Sequence, residues 1–572
     1  MDRLQGVACP RLSRRLVVVG LACLALLAAA LPAVASAARP GKAAIAAAHP
    51  LAVAAGEEVL AGGGNAFDAA VAVSAALAVV EPYASGLGGG GFWLLHLARG
   101  DRDVFIDGRE TAPGAASATM YLDSGGQVIK GATLDGPLAA GIPGEPAALV
   151  HMAKRYGRLP LARSLAPAIR LAAEGIPVHE RLQMGLRFRR KAMERSPALM
   201  AVFYPGGEAP AAGSLLRQPE LAATLRRLAA GGFDGFYRGP TAAALVEGVR
   251  AGGGIWSPED LAGYRVVERE PVRGRYRGVR ITSAPLPSAG GIGLVDMLNI
   301  LSGYDLGRLD PATRKHLIIE AMRRAYRDRS LYLGDPAFSQ PPVEQLLSPF
   351  YAAGQRTSIR LDRATPSEVL AAAPADGSAG QDTTHFSILD AEGNRVAGTL
   401  SINTWYGSAF MPPGTGVLLN NEMDDFTVKP GTANAYDLLG AAANDIAPGK
   451  RMLSSMTPTF LESDRGVAIL GTPGGSRIIT MVLLAALDWV DGGDARSMVA
   501  LRRFHHQFYP DVVEYESGAF TDAEIKALEA LGHRLELGTR AYGNMNVITW
   551  DYATGRVGAA SDPRSAGEAQ VY

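Results

Sequence analysis

A threonine hydroxyl in mid-chain is a poor nucleophile, but a threonine that begins a chain carries its own base. Its α-amine has an ordinary pKa of about 7.7–8.0 and accepts the hydroxyl proton directly or through a water. Thr383 stands where such a chain start could be made. Residues 371–382, AAAPADGSAGQD, are small, polar and broken by proline, as a flexible connector is. Directly after them THFSILD (384–390) alternates as a strand does, DAEGN turns, and RVAGTLSINT (395–404) alternates again. The threonine pair therefore opens a hairpin at the end of a linker. A strand that starts on threonine is ordinary by itself, so its surroundings must decide.

Other chemistries find less support. The only cysteines are Cys9 and Cys23, both in an N-terminal segment read below as an export signal. The mature chain then has no thiol nucleophile, disulfide or cysteine metal site. His505 and His506 are adjacent, so their side chains do not point to one centre, and no H-E-x-x-H is present. Neither a metal nor a cofactor is expected. The run from Gly86 to Gly91 formally contains G-x-G-x-x-G, but it follows a helix and opens a strand, the reverse of a dinucleotide site. There is no Walker A sequence and no G-x-S-x-G.

The elements that must position the threonine can be read in outline. Residues 43–61 read as a helix ended by Gly62-Gly63-Gly64. Asn65 caps a second helix, apolar nearly all round and therefore buried, which stops near Pro82. FWLLHL and VFID read as strands. The middle of the chain, about 140–370, is rich in helical patterns interrupted by strand-like VRGRYRGVRITSAP. The last third holds GVAILGTPGG as strand-to-loop, RIITMVLLAALDWV as a buried helix, and the hairpin-like ITWDYATGRVGAAS.

With 572 residues, 48% of them hydrophobic, the chain can build a large core. Lys+Arg and Asp+Glu both number 56, so there is no basic footprint for nucleic acid, and a charged ligand must be recognised by a few local residues. At the N-terminus, Arg11, Arg14 and Arg15 precede the apolar run Leu16–Leu31 and an A-x-A ending, Ala35-Ser36-Ala37. Residues 1–37 read as a cleaved signal, and the apolar run is short for a membrane-spanning anchor. Sec and twin-arginine export both remain open. The mature protein is expected in the periplasm or secreted, without a stable membrane anchor.

The blocks around Thr383 carry a resemblance. Asp382-Thr383-Thr384-His385-Phe386-Ser387, Thr399-Leu400-Ser401-Ile402-Asn403-Thr404, Leu419-Asn420-Asn421-Glu422-Met423-Asp424-Asp425-Phe426, Leu453-Ser454-Ser455-Met456-Thr457-Pro458-Thr459 and Gly471-Thr472-Pro473-Gly474-Gly475-Ser476-Arg477 resemble γ-glutamyltranspeptidases in order and spacing. So do GGGNAFDAAVAV, SGLGGGGFWLLH, Ile106-Asp107-Gly108-Arg109-Glu110 and the ending Ser561-Asp562-Pro563-Arg564-Ser565. The resemblance covers nearly the whole chain after the signal.

It implies an α+β fold, the four-layer αββα sandwich of N-terminal-nucleophile hydrolases. It implies a precursor that cuts itself between Asp382 and Thr383, leaving a large subunit, 38–382, and a small catalytic subunit, 383–572, in one heterodimeric unit. The expected activity is cleavage of γ-glutamyl amides such as glutathione, with transfer to amino acids, peptides or water. The resemblance makes Arg109 the partner of the substrate carboxylate, where a guanidinium offers a bidentate fork, with hydroxyls from Ser454 and Ser455. Asp425, with Glu422 and Asn403, would take the ammonium. Backbone N–H groups of Gly474 and Gly475 would face the oxyanion, and Ser401 would bond Thr383. Residues 429–450 resemble a lid whose Tyr436 closes over the site and contacts Asn403. Two relatives share the fold with other acyl groups. Asp425 argues against a cephalosporin or glutaryl acylase, whose substrate has no α-ammonium, and the lid argues against a poly-γ-glutamate hydrolase, which needs an open groove.

Overall fold

The hairpin that follows Thr383 lies in the middle of a sheet. In this computed structural model the described residues are 39–371, 383–429 and 431–572. The expected signal segment, the connector beyond Ala371 and Asp382 itself lie outside them. Residues 40–572 form one unit.

Two sheets organise the chain. Their strands in chain order are β1 (Ala44–Ala47), β2 (Gly90–Leu97), β3 (Arg102–Gly108), β4 (Val267–Arg269), β5 (Val272–Tyr276), β6 (Val279–Ser283), β7 (Thr384–Leu389), β8 (Arg395–Ser401), β9 (Thr459–Ser463), β10 (Gly466–Gly471), β11 (Asn546–Asp551), β12 (Val557–Ser561) and β13 (Glu568–Val571). The first sheet runs β13-β1-β7-β8-β2-β3-β4 and the second β12-β11-β10-β9-β6-β5. β7 pairs antiparallel with β1 on one side and with β8 on the other.

Period-2 alternation distributes the first sheet between two cores. Ile45, Ala47, Trp93, Leu95 and Ile106 join one core with the helices α1 (Pro50–Ala61) and α2 (Ala66–Val80). Ala44, Ala46, Phe92, Leu94 and Phe105 join the other. That second core also takes Ile281, Phe460 and Ile469 of the second sheet and the helices α4 (Gly290–Leu301), α5 (Pro311–Tyr332) and α6 (Ile478–Val490). A further helix, α3 (Glu180–Met193), lies between α2 and α4 in the chain. The order is helix, sheet, sheet, helix, the expected α+β sandwich.

Because the first sheet is covered on both faces, the polar half of the hairpin is not solvated. His385 and Ser387 are fully buried and bond within the protein, His385 Nδ1 to Thr399 Oγ1 at 2.8 Å and Ser387 Oγ to the Asn546 carbonyl at 3.0 Å.

The cap of α2 forms as read. Asn65 Oδ1 accepts from the N–H groups of Phe67 and Asp68, and the Asp68 carboxylate accepts from Asn65 N–H. All of α2 is buried. The helix read over 43–61 is corrected: 44–47 is strand β1, and α1 starts at Pro50. The alanines favour a helix locally, but β1 pairs with both β13 and β7, and tertiary pairing overrides weak propensity. Pro50 also disfavours helix at His49, which caps α1 instead, its Nδ1 accepting from Leu51 N–H at 3.1 Å.

Candidate active site

Thr383 immediately precedes β7, and β8 ends at Ser401. The register pairs Thr384 with Leu400, so the next step places Ser401 across from Thr383. The two threonines have different surroundings. Thr384 is fully buried, and its hydroxyl donates to Glu81 Oε2 at 2.9 Å. Thr383 lines a cavity together with Arg109, Ser401, Asn403, Glu422, Asp425, Tyr436, Ser454, Ser455 and Gly475. Of the described residues expected at the site, Gly474 alone falls outside that lining; it borders a neighbouring cavity.

Arg109 follows directly on β3. Its guanidinium meets Glu422 at 2.6 Å and Asp425 at 2.6 Å, lies 3.6 Å from Glu110, and donates from Nε to the Met452 carbonyl at 3.3 Å. It is 1% exposed, so this is no surface ion pair. Burial works against the charge, yet Glu422, Glu110 and Asp425 outweigh it and push the group above the ordinary arginine range. Burial and the Glu422 charge push Glu110 well above the carboxylate range, and neither of its oxygens has a hydrogen-bond partner. Burial raises Glu422 too, with Arg109 opposing it. Two acids on one guanidinium make a zwitterion trap: an entering carboxylate can take the arginine while an entering ammonium takes the acids.

The acids sit on a short 3-10 turn, Glu422–Asp425. Asp424 turns away, accepting from Thr133 Oγ1 at 2.6 Å and Ala435 N–H at 2.8 Å, while Asp425 faces Arg109 and accepts from Asn434 Nδ2 at 3.0 Å. Asn420 holds the turn in place by donating to the carbonyls of Gly88 at 2.7 Å and Gly141 at 2.8 Å. Here the glycine run finds its reason. A Cβ on Gly88 would overlap the Leu418 carbonyl, and one on Gly89 the Ser401 carbonyl; the run exists for close backbone approach.

Ser401 Oγ accepts from Asn403 N–H at 2.8 Å. Ser454 Oγ accepts from Met456 N–H at 3.1 Å, whereas Ser455 Oγ is buried without a hydrogen-bond partner. Gly474 and Gly475 have φ of 144° and 56° and lead into α6. The positive end of that helix thus sits beside the cavity, where developing negative charge is favoured. Tyr436 closes the other side. Its ring lies against Gly475, where a Cβ would overlap it, and Gln507 Nε2 donates to its carbonyl at 3.0 Å.

Sequence reading missed Asn434, Gln507 and Arg329. Arg329 is buried among RRAYRDR of α5, and Asp425 and Arg109 both act on its charge. Nothing in local spacing marks it. His505 and His506 turn to separate partners, Thr480 and Asp511. Among the described residues the one metal-type cluster is His316, Glu320 and His533. Its groups are already engaged: His316 Nδ1 and His533 Nε2 bond each other at 2.7 Å, and Glu320 holds Arg324 at 2.6 Å and Thr365 N–H at 3.0 Å.

Comparison with known proteins agrees with this geometry. The sequence profile described as gamma-glutamyltranspeptidase matches residues 52–572. A glutathione hydrolase proenzyme of Pseudomonas sp. (strain A14) is 45% identical over 486 residues, 84% of this chain and 84% of its own length. The glutathione hydrolase proenzyme of Escherichia coli (strain K12) is 39% identical over 515 residues, 89% and 88% of the two lengths. Among solved structures, a cephalosporin acylase from Bacillus halodurans superposes with a TM-score of 0.82 at 29% identity, covering 95% of this chain and 98% of that one.

Proposed function

The chain belongs to the γ-glutamyltranspeptidase family, and we propose that Thr383 is the nucleophile of its reaction. The protein is a γ-glutamyl transferase and glutathione hydrolase, made as a proenzyme that processes itself into two chains. In our reading the cut falls between Asp382 and Thr383. The Thr383 hydroxyl attacks the preceding carbonyl, and the resulting ester is hydrolysed, giving subunits 38–382 and 383–572 with a free amine on Thr383.

In turnover that amine takes the hydroxyl proton as the oxygen attacks the γ-carbonyl of the donor. The carbonyl oxygen becomes negative beside the N–H groups of Gly474 and Gly475. The C–N bond then breaks, and the leaving amine carries away the proton held on the α-amine. A γ-glutamyl ester on Thr383 remains for a water or an amine acceptor to take. Arg109 and Ser455 hold the α-carboxylate of the glutamyl group, with Ser454 beside them. Asp425, Glu422 and Asn403 hold its ammonium, and Ser401 orients Thr383. Tyr436 excludes water, which favours amino-acid and peptide acceptors over hydrolysis. Residues 1–37 direct export to the periplasm or the medium; no helix among the described residues is long and apolar enough to cross a membrane.

One observation carries this reading: Arg109 bridges Glu422 and Asp425 inside the cavity that Thr383 lines. The likeness to an acylase fold motivates the alternative of a glutaryl-type substrate. Such a substrate has no ammonium and would leave the two acids without a cation once its carboxylate had taken Arg109. Purified protein on a denaturing gel, with N-terminal sequencing, should give a smaller chain starting Thr-Thr-His-Phe. It should release p-nitroaniline from γ-glutamyl-p-nitroanilide far faster than from the glutaryl anilide. A single uncut band from active protein would sink the assignment.

A further inference from the structure

The helix α3 is held from its inner side. Leu182, Gly185, Leu186 and Met193 are buried. A Cβ on Gly185 would overlap the rings of Trp405 and Tyr406, and the Tyr406 hydroxyl donates to the Leu182 carbonyl at 3.0 Å. Arg189 donates to the Gly407 carbonyl at 3.1 Å and to Asp135 at 2.7 Å. The opposite face carries a different set of side chains. Met184, Phe188, Lys191 and, just past the end of the helix, Arg195 follow one another at intervals of four, three and four, the spacing of a single helical stripe. Arg187 lies beside Phe188 in the same stripe.

The stripe is open to water. Phe188 is 78% and Met184 48% exposed, and Arg187, Lys191 and Arg195 are exposed as well. Among the described residues no carboxylate is within ion-pairing distance of these three cations. Glu194 and Glu208 are engaged by Arg190 instead, at 3.3 Å and 3.1 Å. From Glu180 to Arg195 the chain has six basic residues against two acidic, in a protein with 56 of each. A large ring is thus kept in water with unpaired cations around it, although burying that ring would be favourable.

We propose that this face of α3 docks the protein on an anionic lipid surface. The helix lies in the plane of that surface. Phe188 and Met184 enter the boundary between headgroups and acyl chains, and Arg187, Lys191 and Arg195 meet lipid phosphates. Other occupants match the stripe less completely. A second copy related by two-fold symmetry would bring the same three cations against one another. A soluble polyanion would satisfy the cations and leave the phenyl ring in water. The docking is independent of the reaction, since none of these residues lines the cavity that holds Thr383.

The test is co-sedimentation of the processed protein with vesicles of phosphatidylcholine alone, or mixed equally with phosphatidylglycerol. Each cation near an anionic surface contributes about fivefold, so wild type should bind the mixed vesicles about a hundredfold more tightly than the neutral ones at low salt. Salt at about 0.5 M should remove most of that difference. Lys191→Glu should weaken binding to the mixed vesicles about twentyfold and Phe188→Ser about tenfold, both with unchanged cleavage of γ-glutamyl-p-nitroanilide. The Phe188→Trp variant reports depth: its indole fluorescence should shift to the blue and be quenched by lipids brominated on their acyl chains. Binding to neither kind of vesicle, equal binding to both, or wild-type binding by both Lys191→Glu and Phe188→Ser overturns the proposal. So does an unquenched indole together with equally tight capture by soluble polyaspartate, which would mark a polyanion site instead.

Discussion

The phenol of Tyr436 donates a hydrogen bond to the backbone carbonyl of Asn403 at 2.6 Å. The two residues belong to segments that the chain brings together over the mouth of the cavity, and Asn403 turns its backbone with a φ of 75°. Because the ring also lies against Gly475, one side chain ties the segment proposed as a lid to both walls of the site.

Removing that tie should loosen the lid without removing the reacting groups. Tyr436→Phe loses one hydrogen bond of about 1 kcal/mol, so closure weakens about fivefold. The expected outcome is a shift from transfer to hydrolysis, measured as the ratio of γ-glutamyl-dipeptide to free glutamate at a fixed dipeptide concentration. A ratio equal to wild type would argue that the lid does not gate water.

Thr383 and Thr384 are neighbours with opposite fates. Thr383→Ala should leave a single uncut chain with no activity. Thr384→Ala should still cut itself and turn over, because that hydroxyl is engaged with Glu81 and away from the cavity. It should be less stable by about 1–3 kcal/mol, the cost of an unsatisfied buried partner. Normal cutting by the first variant, or none by the second, would overturn the assignment of the nucleophile.

In the proposed reading, Asp425 distinguishes a γ-glutamyl group from a glutaryl one only through the ammonium. Asp425→Asn keeps the shape and a hydrogen bond to Arg109 but removes the charge. The KM for γ-glutamyl-p-nitroanilide should rise by a factor of about 10–100, as expected for loss of one buried charged contact. The glutaryl anilide should be affected much less. Equal losses on both substrates would mean that Asp425 acts by holding Arg109 and not by meeting substrate.

Stability should fall on mild acidification. Burial lowers His49 to about 4, His385 to about 3, His506 to about 4 and His533 to about 3. In the unfolded chain imidazoles titrate near about 6.5, so below that pH the unfolded state takes up protons that the folded state refuses. Each such histidine then removes about 1.4 kcal/mol per pH unit, from about 6.5 down to its folded value. Thermal melts at pH 7, 6 and 5 should show a Tm that drops with increasing steepness, and a Tm constant across that range would contradict the neutral assignment.

Much of the candidate site was legible before folding was considered. The threonine at the head of a hairpin and the Asn65 cap are local patterns, written in residues a few positions apart. The motif blocks, read through their resemblance, pointed to nine residues besides Thr383 that prove to line one cavity or to border it through the adjoining Gly474. Contacts between distant segments were not legible. Arg109 with Glu110 looks like an adjacent ion pair in the sequence, yet its close partners stand at 422 and 425. The alanine-rich stretch at 44–47 has the local preference of a helix and becomes a strand because two partner strands, one of them at the far end of the chain, offer it hydrogen bonds.

By itself, the sequence set the expectations of a nucleophile at the head of a hairpin, of a cut in the connector before it and of chemistry that uses no cysteine, since these depend on residue type and on neighbours along the chain. Only the tertiary structure decided that Asp425 rather than Asp424 meets the arginine, that Thr384 is turned away to Glu81, and that Phe188 of α3 faces outward. The reason is physical: side-chain direction and ion pairing are set by whichever distant segment packs alongside, and spacing along the chain carries no record of that.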